Sequence, residues 1–103
     1  DEEDGVTYPF VVIGEIDNTS GGDKSALAGT VSVAIDVWGK REDRPAVSEI
    51  ANGILLASVG TWRTPSYQFT GQKNAQQVQM MNDTSLASTV FTRGLVSLQL
   101  EIN

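Results

Sequence analysis

The chain of 103 residues contains neither histidine nor cysteine. That removes the imidazole general base, the thiol nucleophile, disulfides and the usual zinc and copper ligands. Any remaining chemistry must come from Lys, Ser and the carboxylates. Lys24 and Ser25 could form a Ser-Lys nucleophile, but adjacent residues in a polar, glycine-containing stretch lack the desolvation that lowers a lysine pKa. Glu15 and Asp36 fall on two candidate strands and could pair as acid and base, yet sheet surfaces routinely carry such residues facing water. Gly21-Gly22 is not followed by a helical pattern that could aim amides at a phosphate, and no Walker-type loop, dinucleotide fingerprint or calcium-binding carboxylate spacing is present. The expectation is a protein that is not an enzyme, with no cofactor and no metal.

Charge narrows the partners. With 13 acidic against 7 basic residues the formal net charge is −6, which repels a phosphate backbone, whose binding requires clustered Lys and Arg. Part of that charge is Asp1-Glu2-Glu3-Asp4, and residues 1–7 read as an acidic, flexible N-terminal segment. The apolar fraction of 40% is that of a globular chain, and no stretch approaches the ~20 apolar residues that span a bilayer. The chain opens without Met and with no visible signal peptide, so its N-terminus is expected not to be the native start. Asn18-Thr19-Ser20 and Asn82-Asp83-Thr84 match the glycosylation acceptor pattern, and both read as turns.

The elements that would position these residues follow from periodicity. Phe10-Val11-Val12-Ile13-Gly14-Glu15-Ile16 is an almost continuous apolar, β-branched run, read as a buried strand. A polar connection over 18–25 follows, expected to order on assembly. Val31, Val33, Ile35 and Val37 then alternate with polar or small residues and end on Trp38, the clearest strand of the sequence. Asp43 as N-cap, Pro45 in the first turn and Val47, Ile50, Ala51, Ile54 and Leu55 at helical spacing predict an amphipathic helix of about 14 residues that stops before Gly60. Residues 61–74 look irregular, Gln76 to Met81 a strand with Val78 and Met80 inward, and 82–85 a turn. Thr92 to Ile102 places Val96, Leu98, Leu100 and Ile102 on one face of a closing strand. The fold class is therefore α+β, a single domain over 1–103 with a mostly antiparallel sheet of four to five strands and one main helix on one face.

Surface aromatics and mixed charges suggest where another protein would touch. Lys40, Arg41 and Arg44 alternate with Glu42 and Asp43, a mixed-sign patch suited to intersubunit ion pairs or simply to a solvated turn. Trp38 and Trp62 are candidate interface anchors, with Arg63 beside the second, because large aromatics dominate binding hot spots. For Trp38, covering the sheet or packing on another element is an equal alternative. Asn18, Gly21, Gly22, Asp23 and Lys24 make up the candidate assembly loop.

Two segments taken together, Tyr8-Pro9-Phe10-Val11-Val12-Ile13-Gly14-Glu15 and Val33 through Trp38-Gly39-Lys40-Arg41 leading into Val47-Ser48-Glu49-Ile50, resemble the small tail-completion proteins of long-tailed bacteriophages. In that tail terminator or head-tail joining group, a strand of this kind precedes a second strand ending in Val-Trp, a short basic turn and a helix. The closing Phe91-Thr92-Arg93-Gly94-Leu95-Val96-Ser97-Leu98 is also similar to it, so the resemblance covers most of the chain from Tyr8 onward. It implies a structural virion subunit that forms a ring, typically a hexamer, at the head-proximal end of the tail. Such a ring joins tail tube to head connector and lets DNA pass without specific binding. The resemblance further implies assembly in the bacterial host cytoplasm, no membrane partner and no catalysed reaction. Members of the group tend to carry a helix ahead of the first strand, which this chain lacks there. The alternative is a small acidic, non-enzymatic binding module acting as a monomer or dimer.

Overall fold

A computed structural model of the chain describes residues 7–20, 29–86 and 89–102. The acidic residues 1–4, Gly21, Gly22, Asp23, Lys24 and Ser25 lie outside the described residues. The order of elements is β1 (Phe10–Ser20), β2 (Gly29–Lys40), a 3₁₀ turn (Arg41–Asp43), α1 (Arg44–Ala57), β3 (Gly60–Arg63), β4 (Gln68–Gly71), a second 3₁₀ turn (Lys73–Ala75), β5 (Gln77–Leu86) and β6 (Thr89–Ile102). All pairings are antiparallel, in the order β1-β2-β6-β4-β3, with β5 also on β6. The α+β class holds, and the described strands are six where four to five are expected from sequence.

The alternating patterns of β2 and β6 build the centre. Val33, Ile35 and Val37 sit opposite Leu98, Val96 and Gly94 on one face, and the apolar stripe of α1 covers them. Val37, Val47, Ala51 and Val96 are fully buried, with Val33, Ile35, Ile50, Ile54, Val78 and Met80 packed around them. The inward placing of Val78 and Met80 is as the sequence indicates. So is the helix: 14 residues with Pro45 in the first turn and a stop before Gly60, whose φ of 117° opens β3. Asp43 takes a different role. Its Oδ2 accepts the Lys40 N–H at 2.8 Å, closing the 3₁₀ turn rather than capping α1 by its side chain.

Four sequence expectations are corrected. β1 is not buried, because it is the end strand and α1 lies over β6, β2 and β5; Val11, Ile13 and Ile16 are 47%, 65% and 61% exposed. Asn18 is not in a loop, since β2 extends down to Gly29 and offers it Val31 as a partner. Asn82 and Asp83 are not a turn but continue β5 opposite Thr92 and Phe91, and the pairing extends to Leu86 opposite Thr89. The stretch expected to be irregular holds the β3–β4 hairpin, joined through Thr64, whose N–H donates to the Tyr67 carbonyl at 2.8 Å. These strands have four residues each, too short for an alternation to stand out.

β6 is longer than any neighbour on its second edge, and two strands share that edge. β5 covers it as far as Ser97, while β4 takes over from Leu100. Gln76 bridges the gap: its Oε1 accepts the Gln99 N–H at 2.7 Å and its Nε2 donates to the Gln99 carbonyl at 3.0 Å. A side-chain amide thus replaces a missing strand residue, and it is 8% exposed. Where β4 meets the end of α1 the approach is close enough that a Cβ on Gly71 would run into the Ser58 carbonyl oxygen, so only glycine fits. Replacing Gln76 with Leu leaves both backbone groups of Gln99 without their partners in a part-buried site. Denaturant unfolding of Gln76→Leu should show a loss of about 2–4 kcal/mol, against less than ~0.5 kcal/mol for Gln77→Leu at the exposed neighbouring position; equal effects would refute the bridging role.

Candidate assembly surface

The sheet has two unlike faces and two unlike ends. Call the end with Lys40 and Phe91 upper and the end with Gly29 and Ile102 lower, as their pairing fixes them. The face away from α1 carries, at its upper end, residues from four strands. Phe10, Trp38, Arg93 and Met81 form one cross-strand row. The Tyr8 ring lies 5.2 Å from Phe10 and 5.7 Å from Phe91, with Lys40 Nζ 5.6 Å from its centre. The Arg93 guanidinium stands 5.2 Å over Trp38 and also binds Asp36, with both Nε and Nη2 2.8 Å from Oδ1. These side chains are only 31% and 18% exposed, so the pair is better shielded from water and salt than a surface bridge.

Trp38 is accordingly half-buried and covered by Arg93, the packed arrangement rather than a freely projecting ring. Asp36 is held by Arg93, and Glu15 belongs elsewhere. Glu15 and Asp17 are exposed beside a shallow depression of about 160 Å³ lined also by Ser32, Ala34, Ser97 and Gln99. Lys40, Arg41 and Arg44 do gather at the upper end. Arg41 and Arg44 line a cleft of about 500 Å³ with Asn82, Val90 and Thr92, and Arg44 Nη1 donates to Asn82 Oδ1 at 3.3 Å.

Trp62 and Arg63 lie at the opposite end. Through β4, Trp62 aligns with Ile102, nine residues along β6 from the Trp38 partner Arg93, roughly 30 Å at strand rise. Trp62 is on the helix side of the sheet, stacked on Phe69 at 4.8 Å and still 39% exposed. The two tryptophans thus belong to different faces and different ends, and do not form one patch.

The largest concentration of exposed aliphatic side chains is one the sequence reading misplaces. On β1, Val11, Ile13 and Ile16 face the helix side beyond the cover of α1, and Val12 is 43% exposed on the other face. Among the described residues no strand pairs with the outer edge of β1. A register shift between Ile13 and Ile16 marks a bulge there, one of the devices that blunt a free edge. The signal for an edge was present in Gly14, Glu15 and Asp17, since charge and glycine inside an apolar run fit a central strand poorly.

Comparison with family models, curated proteins and solved structures finds no match. The surface stands on its own geometry. A double-mutant cycle on Asp36→Asn and Arg93→Ala should give a coupling of about 1 kcal/mol, and a coupling near zero would show that the pair contributes nothing to holding this face.

Proposed function

We propose that the chain is a non-enzymatic structural subunit that assembles with copies of itself into a ring, and that the ring sits at the head-proximal end of a phage tail. There it joins the tail tube to the head connector, within a virion assembled in the bacterial cytoplasm, and DNA passes through without specific binding. The observation that carries the assembly part is β1: an eleven-residue strand at the sheet edge with Val11, Ile13 and Ile16 about half or more exposed. An edge of this kind offers unpaired backbone groups and apolar side chains to another chain. The phage assignment draws on the resemblance of 8–15, 33–50 and 91–98 to the tail-completion group.

Charge is compatible with this role. The exposed Glu15, Asp17 and Glu101 share the face away from α1, and such a face repels phosphate rather than trapping it. The alternative, a small acidic binding module, uses the same edge for one unlike partner. Solution mass separates the two. Light scattering over a wide concentration range should show a ring-sized species, typically a hexamer, growing as concentration rises. A particle that stays at monomer or dimer mass at every concentration, with no rings on tail tubes by electron microscopy, would overturn the ring reading in favour of the binding module.

A further inference from the structure

We infer that neighbouring subunits join head to tail by antiparallel pairing of β1 with β5 of the next copy, which continues one sheet from subunit to subunit. The inference rests on the ring reading and adds the contact that closes it.

In the upper half of the molecule the sheet runs β1-β2-β6-β5, so β1 and β5 are its two lateral edges there; in the rows of Leu100 to Ile102 β3 lies outside β4 and holds the place that Asn18 to Ser20 of a neighbouring β1 would fill, so the pairing is confined to the rows above. Each pairs on one side only among the described residues. β1 runs with β6 and against β5. Setting a second copy alongside in the same orientation therefore brings β5 of one against β1 of the other in antiparallel sense, the sense that suits a direct strand pair.

The two edges also stand at matching heights. The pairing rows are Val11-Val37-Gly94-Met80, Val12-Asp36-Leu95-Gln79 and Ile13-Ile35-Val96-Val78. A sideways repeat places Val11 and Ile13 beside Met80 and Val78 of the neighbour on the helix side, where all four are apolar. The exposed stripe of β1 then falls between its own α1 and the α1 of the neighbour, which covers part of β5. Lower down, Asp17 shares its row with Gln99, and Gln76, which binds Gln99, follows the turn that begins at Lys73. The acidic side of one edge thus meets the lysine-bearing turn of the other. Asp17, Glu15 and Lys73 form no ion pair among the described residues, so the charges are available to each other across the joint.

Continuation of a sheet from one edge to a different edge is heterologous, and such contacts generate rings when the rotation closes. An isologous antiparallel β1-β1 pairing centred on Ile16 would instead oppose Glu15 to Asp17 of the other copy and stop at a dimer.

The absence of native cysteine makes a cross-linking test clean. Within one chain Val12 and Gln79 are three strand spacings apart, roughly 14 Å, whereas across the proposed joint they are direct neighbours. With a short thiol cross-linker, Val12→Cys/Gln79→Cys protein should form a ladder of covalent multimers. A mixture of the Val12→Cys and Gln79→Cys single variants should stop at dimers, and neither single variant alone should cross-link. Ile13→Asp, at a position 65% exposed and so tolerant of charge, should raise the concentration needed for assembly by roughly tenfold or more. Wild-type oligomers that resist Ile13→Asp and give no Val12–Gln79 cross-link would overturn this pairing while the ring reading stands on another contact. Dimers from Val12→Cys alone would overturn it in favour of β1-β1 contact. A wild-type monomer with no cross-link at any concentration would remove both the pairing and the ring.

Discussion

The architecture depends on one strand having more edge than any single neighbour supplies. β6 spans 14 residues, and every backbone group it buries needs a partner, because an unmet buried amide or carbonyl costs on the order of 1–3 kcal/mol. β2 meets this on one side from Phe91 to Ile102. On the other side β5 and β4 divide the length, leaving Leu98 and Gln99 between them, and the side-chain amide of Gln76 meets the backbone groups of Gln99. The connections before and after these strands follow from that division. The β3–β4 hairpin has to arrive at the lower end of β6, and α1 has to finish close enough to Gly71 for the chain to turn into it.

The same geometry decides which face is covered. α1 follows β2 through a tight 3₁₀ turn and so falls back over β2, β6 and β5. A helix is about 10 Å across with its side chains, while strands are spaced about 4.8 Å apart, so one helix closes two to three strands and leaves the fourth. The uncovered strand is β1, and its valines and isoleucines stay in water. The molecule is also drawn out, 53 × 22 × 21 Å, with a large surface for its mass. Both features are in keeping with the proposed assembly of the chain with copies of itself.

The charged groups are distributed to the same end. Asp36 is engaged by Arg93 over Trp38, which stiffens the upper part of the open face. Lys40, Arg41 and Arg44 collect at the upper end, whereas Glu15 and Asp17 stay exposed on the β1 edge and Lys73 begins the turn below β5. The carboxylates that are close in the fold are solvated or paired with arginine, and the residues left over are those that two surfaces would need to find their register.

The sequence by itself determined the elements whose pattern is long and repeats. β2 and β6 alternate over many residues, α1 carries its apolar stripe with Pro45 and Gly60 at the ends, and Val78 and Met80 declare their side; each pattern reports which face meets the core. The gathering of Lys40, Arg41 and Arg44 was legible too, since they are near neighbours in the chain. Tertiary structure alone decided the rest. An apolar run such as 10–16 reads the same whether it lies inside a sheet or at its rim, because periodicity records side-chain type and not what stands opposite. The continuation of β1 through Asn18 and of β5 through Asp83 came from long partners that override turn-forming residues, and β3 and β4 exist because the end of β6 offers them hydrogen bonds. The Tyr8, Trp38 and Arg93 cluster and the Gln76 bridge join residues far apart in sequence, and only the strand register brings them together.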